Sequence, residues 1–420
     1  MSNKLSQLAE TLIPSEIITL GNEIRDRVQQ GEKIYNFTIG DFDPAVFPIP
    51  QEMEDCIVQS YRDHNTCYPP ADGTLDLREA VSAFIKKWEG LEYGPNEILI
   101  AAGGRPLIYS LYRAVADRGD KIIYPAPSWN NNHYVHFVEG EHVLIEATRE
   151  NDFMPTAADI KPHLKGACLL ALNSSLNPTG TAFTYAELEA ICDLVLEENK
   201  SRGDDEKKLY VMYDQMYWTL TFGETKHFNP VSIRPEMRQY TIFIDGISKA
   251  FAATGVRVGW AMGPTHVLAK MRGINSHIGA WAPMPEQKGV AKYLVHHDWV
   301  EKHLVSFRAE VDERLRRIYQ GLQDLKAAGH KVDAIAHQAA IYLTVQFDLV
   351  GKTTADGKLL EKQEDVTAYL LDEAKLAVVP FYAFGAKRTS NWYRLSVGTC
   401  KKEGIDEMLG MLRAALEKLQ

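Results

Sequence analysis

A lysine stands between two strand-like runs in the segment Ser248-Lys249-Ala250-Phe251-Ala252-Ala253-Thr254-Gly255-Val256-Arg257-Val258-Gly259. Lysine suits Schiff-base chemistry because its amine gives up its proton readily when it is buried or set beside another cation. Arg257, eight residues on, carries a planar fork that meets a phosphate with two parallel hydrogen bonds. An amine and a guanidinium so spaced could bracket one ligand, although two surface cations beside a strand would leave the same short motif. A second signal is Asn177-Pro178-Thr179-Gly180, following the apolar run Cys168–Asn173. Proline fixes φ and glycine supplies a positive one, so a turn is the plain reading. The third is Asp214-Gln215-Met216-Tyr217, after the run Leu209–Tyr213. An aspartate there either caps a helix or sits beside a heteroaromatic nitrogen and keeps it protonated. What the three share is placement, since each follows a strand-like run.

The elements that must position these residues are legible as alternation. Strand-like runs recur at Glu97–Ala101, Lys121–Tyr124, His142–Glu146, Cys168–Asn173, Leu209–Tyr213, Thr241–Asp245 and Val256–Met262. Amphipathic stretches at Leu75–Trp88, Pro106–Asp117 and Tyr185–Asn199 lie between several of them. Alternating strands and helices predict an α/β domain with a mostly parallel sheet, whose ligands bind outside the carboxyl ends of the strands. From His297 to Ala328 one long charged helix leads into a smaller unit with strands at Ala340–Phe347, Leu376–Phe381 and Tyr393–Val397. A helix from Gly404 to Leu419 closes that unit, and Gly351–Asp365 is polar enough for a surface loop.

Composition narrows the function. At 420 residues the chain exceeds the size at which single cores stop growing, and 45% apolar with 24% charged residues is ordinary for a soluble protein. A net charge of −10 disfavours a nucleic-acid partner. The five cysteines, Cys56, Cys67, Cys168, Cys192 and Cys400, show no CxxC or other metal spacing, so neither a disulfide framework nor a metal site is expected. Reduced thiols and a cytoplasmic location follow. Residues 1–16 lack the apolar core of a signal peptide, and no run approaches the about 20 apolar residues that span a bilayer, so no membrane partner is expected.

The order NPTG, then D-x-x-Y, then S-K-x5-G-x-R-x-G resembles the fold-type I, class I/II aminotransferases related to aspartate aminotransferase. Tyr68-Pro69-Pro70-Ala71-Asp72-Gly73-Thr74-Leu75-Asp76-Leu77-Arg78-Glu79 is similar to that family's Y-x4-G-x3-L-R-E segment, and Gly103-Gly104-Arg105 to its glycine turn at the cofactor phosphate. Pro127-Ser128-Trp129, Val379-Pro380 with Phe384-Gly385, and Arg394-Leu395-Ser396 extend the likeness over nearly the whole chain. The resemblance implies a large pyridoxal-phosphate-binding domain with a mostly parallel seven-stranded sheet at residues 49–300. It implies a smaller α+β domain at 301–420, to which residues 1–48 contribute. It also implies an aminotransferase that moves an amino group from an L-amino acid to a 2-oxo acid, 2-oxoglutarate by default, in a homodimer with shared sites.

On that resemblance Lys249 would carry pyridoxal 5'-phosphate as an aldimine and then shuttle the substrate proton. Asp214 would pair with the pyridinium nitrogen, and Asn177 and Tyr217 would hydrogen-bond the phenolic oxygen. Arg257 and the amides of Gly104 and Arg105 would hold the phosphate, with Trp129 stacked on the ring. Tyr68 would reach the partner's phosphate, while Arg394 and the Gly40 backbone would clamp the substrate carboxylate. Three positions depart from the pattern: Gly246 replaces a common phosphate-binding serine, Asn132 a histidine, and Ser276–Trp281 contains no arginine for a second substrate carboxylate. The last leaves room for an apolar or aromatic substrate side chain beside Trp281, with a charge from another position the alternative. Two other readings are a C–S β-lyase on the same cofactor and a ligand-sensing domain of a transcription regulator. The second lacks room for a basic DNA-binding unit before Gly40.

Overall fold

Apolar runs bounded by turns lay down most of the strands; a computed structural model describes residues 5–14 and 16–420. Along the chain they are Tyr35–Asn36 (β1), Ile98–Ala101 (β2), Lys121–Ala126 (β3), Glu141–Glu146 (β4), Ala167–Asn173 (β5), Tyr210–Asp214 (β6), Thr241–Gly246 (β7) and Gly259–Met262 (β8). Val332–Ala334 (β9), Tyr342–Phe347 (β10), Leu376–Ala377 (β11), Val379–Pro380 (β12) and Trp392–Ser396 (β13) follow.

Strands β2 to β8 form one seven-stranded sheet in the order β2-β8-β7-β6-β5-β3-β4. Pairing is parallel from β4 through β7, and β8 runs antiparallel to β2 and β7. Helices cover both faces of such a sheet, which is why all six residues of β7 are buried while β4, at the edge, is mostly exposed. The strand expected from Val256 begins only at Gly259, because Arg257 adopts a left-handed φ of 60° that no extended strand tolerates. The three expected helices run Leu75–Glu89, Gly104–Val115 and Tyr185–Ser201. The last starts on a reciprocal cap: Glu187 N donates to Thr184 Oγ1 at 3.3 Å and Thr184 N to the Glu187 carboxylate at 3.1 Å.

His297–Ala327 is a continuous helix whose buried face, Val300, Leu304, Phe307, Val311, Leu315 and Ile318 among others, recurs at steps of three and four. It packs into the core of a second, smaller domain built on an antiparallel sheet in the order β12-β13-β10-β9. The run Leu376–Phe381 divides: β11 leaves to pair in parallel with β1, while β12 joins the small sheet. Phe37, Phe42 and Phe47 of the N-terminal segment lie in that same core. The polar loop is shorter than expected, because the helix Gln363–Glu373 begins inside it, with Asp365 accepting from the amides of Glu361 and Lys362. Among the described residues no helix is long and apolar enough to cross a membrane.

Candidate active site

The carboxyl ends of β5, β6 and β7 converge on one cavity. Asn173, the last residue of β5, donates from Nδ2 to the Asp214 carbonyl at 2.6 Å, and its Oδ1 accepts from Asn177 N at 2.8 Å. The turn carrying Asn177 is thus tied to the strand end carrying Asp214. The Asp214 carboxylate accepts from Met216 N at 3.1 Å. Burial pushes its pKa up to about 6 against that single amide, so the carboxylate lacks the partner that would hold it charged. Three residues on, the Tyr217 and Tyr342 hydroxyls hydrogen-bond one another.

Lys249 sits on the short helix Ile247–Ala250 after β7, and its Nζ donates to the Gly40 carbonyl at 2.6 Å. Burial lowers its pKa to about 8; Arg394, Arg105 and Arg257 add to the shift and Asp41 opposes it. Arg257 is fixed by its own backbone turn, donating to the carbonyls of Thr254 at 2.7 Å and Ala102 at 2.9 Å. Gly103 adopts a φ of +83°, and a Cβ there would lie 2.3 Å from Arg257 Nη2, so only glycine lets the guanidinium approach the start of the Gly104–Val115 helix. A helix start with free N–H groups beside a guanidinium is an anion site. The Arg105 guanidinium packs over the Trp129 ring at 4.6 Å.

The opposite wall comes from the small domain. Arg394 on β13 is 2% exposed and donates to Asn177 Oδ1 at 3.0 Å and to the Thr38 carbonyl at 2.6 Å. Its Nε has no partner among the described residues, a buried donor facing none of its neighbours. A Cβ on Gly40 would stand 3.3 Å from Arg394 Nη1 and 2.9 Å from Tyr342 Oη, so the segment passes close to both. The cavity measures about 680 Å³, within the range of small-ligand sites, and Lys249, Asp214, Asn177, Tyr217, Arg257 and Arg394 all line it. Gly40, Gly104, Arg105 and Trp129 line it too, which leaves Tyr68 alone of the expected residues outside.

Some residues fall elsewhere. Tyr68 does not line this cavity; it is 83% exposed and packs edge-on against Trp281 at 5.4 Å. Neither Trp281 nor Ser276–Ala280 lines it, nor do Asn132 and His133. Asn131 does, held by Tyr112 Oη at 3.0 Å and donating to Ser128 Oγ at 3.1 Å. Asp41, Thr254 and Asn173 were also missed. Their signal is adjacency: Asp41 follows Gly40, and its Oδ1 accepts from Thr254 Oγ1 at 2.6 Å, joining two segments far apart in sequence. Among the described residues no cluster of histidine, cysteine and carboxylate side chains forms a metal site.

A buried lysine at the carboxyl end of a parallel sheet, faced by a carboxylate and two arginines, defines a pyridoxal-phosphate enzyme of fold type I. The sequence profile described as Aminotransferase class I and II matches residues 32–412, and the chain belongs to that family. An aspartate aminotransferase of Bacillus sp. (strain YM-2) is 29% identical over 422 residues, covering 100% of this chain and 99% of the relative. A probable aspartate/prephenate aminotransferase of Rhizobium leguminosarum bv. phaseoli is 26% identical, covering 93% of each chain. The crystal structure of the aspartate aminotransferase from Rhizobium meliloti superimposes with a TM-score of 0.89 at 26% identity over 99% of this chain and 100% of that one. The protein is a transferase that moves amino groups with pyridoxal phosphate. Its residues fit that cofactor: the absence of a side chain at Gly103 brings the Arg257 guanidinium to the start of the Gly104–Val115 helix, where an anion would meet both, and among the described residues the buried Asp214 carboxyl has no cationic partner.

Proposed function

We propose that this aminotransferase passes the amino group of an acidic L-amino acid to a 2-oxo acid, with 2-oxoglutarate the default acceptor. The observation that carries the reading is one cavity lined by an amine of lowered pKa, a carboxyl and two arginines: Lys249, Asp214, Arg257 and Arg394. When bound, pyridoxal phosphate supplies an electron-withdrawing ring that lets the substrate α-carbon release its proton. Lys249 would hold the cofactor, and its Nζ would take and return that proton, work suited to an amine whose pKa burial lowers to about 8. Asp214 would keep a proton on the ring nitrogen, and a positive charge there would stabilise the carboxylate that burial alone disfavours. Asn177 and Tyr217 would hold the phenolic oxygen. Arg257 and the amides of Gly104 and Arg105 would hold the phosphate, and Trp129 would pack on the ring. Arg394 binds the substrate α-carboxylate in a bidentate pair, with the Gly40 backbone opposite.

The choice of an acidic donor rests on the relatives named aspartate aminotransferase and on Arg105, a cation in the cavity wall of the same chain. That position supplies a charge which Ser276–Trp281 lacks, so it outweighs the expectation of an apolar side chain. We further propose a cytoplasmic homodimer in which Tyr68, exposed in the single chain, completes the partner's phosphate site. The working domain limits are 49–300 and 301–420, with residues 1–48 added to the smaller; the β1–β11 pairing supports that addition, and residues 1–4 and 15 lie outside the described residues.

The test is a two-stage assay. Aspartate should bleach the visible band of the cofactor-loaded protein, and 2-oxoglutarate should restore it with glutamate formed and no ammonia released. Release of ammonia and pyruvate from a cysteine conjugate without an acceptor, and no glutamate from aspartate, would refute the reading. Sedimentation that shows only monomers at assay concentration would remove Tyr68 from the partner's site.

A further inference from the structure

Behind the cavity, two acidic side chains with no part in the proposed chemistry are buried. Glu89, the last residue of the Leu75–Glu89 helix, has a side chain only 3% exposed. Its Oε2 accepts from Gln215 Nε2 at 2.8 Å and its Oε1 from Asn229 Nδ2 at 3.0 Å, with His227 Nε2 3.5 Å from Oε1. Asp245 is buried in β7, accepting at Oδ2 from Trp218 Nε1 at 2.9 Å and at Oδ1 from Gly246 N at 2.7 Å. Both are costly to bury, and Glu89 has a histidine, His227, beside it.

What they hold explains the arrangement. Gln215 directly follows Asp214, and Trp218 directly follows Tyr217. Neither Gln215 nor Trp218 lines the cavity, whereas Asp214 and Tyr217 do. The turn after β6 therefore faces two ways, and its back is gripped at both ends by a carboxyl group. The Asp214 carboxylate itself accepts only the Met216 amide, so its direction is set by the path of this turn.

We infer that Glu89 and Asp245 are positioning residues which, through Gln215 and Trp218, brace the turn that aims Asp214 and Tyr217 into the site. The inference rests on the reading of Asp214 as the partner of the cofactor's ring nitrogen. A hydrogen bond to a buried carboxyl oxygen is directional, which suits a brace whether or not that carboxyl carries its charge. Glu89→Gln turns an acceptor oxygen into a donor that meets the Gln215 or the Asn229 amide. Asp245→Asn does the same against Trp218 or Gly246. Burial raises the Asp245 pKa well above the carboxylate range, and the Glu89 charge adds to it. The Glu89 charge also adds to the raised pKa values of Tyr93 and Tyr213, and His227 lies 3.5 Å from its Oε1.

The experiment compares cofactor-loaded wild type with Glu89→Gln, Gln215→Met and Asp245→Asn, using Glu92→Gln as the control. Glu92 is a surface carboxylate paired with Lys86 at 2.7 Å. Three readouts are followed: the rate at which pyridoxal phosphate is lost on dilution, the midpoint of the pH titration of the visible band, and kcat against KM. Expected are at least tenfold faster loss, a displaced midpoint and a tenfold lower kcat, with KM within twofold, for the three brace variants. The control should match wild type. Glu89→Gln that folds and equals wild type in cofactor loss and band titration overturns the inference. Should it fail to fold, Gln215→Met decides, because Met keeps the volume and removes only the amide link. Wild-type protein that takes up no pyridoxal phosphate would instead refute the family reading on which the brace depends.

Discussion

The two walls of the cavity are built on different principles. The wall from the large sheet, with Asn177, Asp214 and Lys249, consists of consecutive strand ends whose positions follow from parallel pairing of β5, β6 and β7. The wall from the small domain, with Arg394 and Gly40 backed by Tyr342 and the Thr38 carbonyl, is assembled from segments more than 300 residues apart, and the Arg394 side chain donates across the gap. The first wall is rigid by topology. The second depends on how two domains meet, so on the proposed reading chemistry falls to the first and substrate grip to the second. Mutations in the two walls should therefore separate kcat from KM.

The largest effect should come from the sheet wall. Lys249→Ala removes the amine that moves the α-proton, and single-turnover rates with an amino donor should fall by about 10⁴-fold or more; near wild-type turnover would break the division. Arg394→Ala should act mainly through the substrate. It removes a buried charge and leaves the Asn177 amide and the Thr38 carbonyl without their donor, so kcat/KM for the amino donor should drop by about 2–4 kcal/mol. A loss confined to kcat would place Arg394 with the chemistry instead.

Asp214→Asn sharpens the comparison because its two consequences have opposite sign. The folded-state pKa of about 6 lies above the usual carboxylate value, so the cofactor-free protein is penalised for the charge. Stability is lost as pH rises from about 4 through about 6, amounting to about 3 kcal/mol above that window. The Asn variant without cofactor should therefore unfold at higher denaturant than wild type near pH 8 and lose that advantage near pH 3, while its activity falls. An equal or lower midpoint near pH 8 would mean that Asp214 is not stabilised by losing its charge.

Gly40→Ala tests the small-domain wall: its Cβ would stand 2.9 Å from Tyr342 Oη, and the segment must shift. KM should rise about tenfold, a cost of 1–3 kcal/mol typical of overpacking, with kcat changed little. Smallest is Tyr342→Phe, which strands the Tyr217 hydroxyl and should cost about 1 kcal/mol in denaturant unfolding.

Much of the sheet wall was legible in the sequence. Each of its residues follows an apolar run closely, and a parallel sheet carries such positions to the same edge. The ends of the runs were less so: β8 starts late because Arg257 is left-handed, a backbone state that its residue type does not announce. In the small-domain wall, Arg394 and Gly40 came from motif resemblance, whereas Tyr342 carried no local signal. It matters through Tyr217 and the Gly40 segment, and both contacts are long-range. Asn131 was hidden in a run of three asparagines that differ only in which way the Asn131–Phe137 helix turns them.

Sequence alone determined the seven strands of the large sheet to within a few residues and three of its helices, the residue types at the strand ends, and therefore the chemistry available there, because hydrophobic periodicity and turn residues act locally. Tertiary structure decided which groups share one cavity, how far burial moves the pKa of Lys249 and Asp214, and that Glu89 grips the back of the Asp214 turn. Desolvation and hydrogen bonding between distant segments exist only once the chain has closed around them.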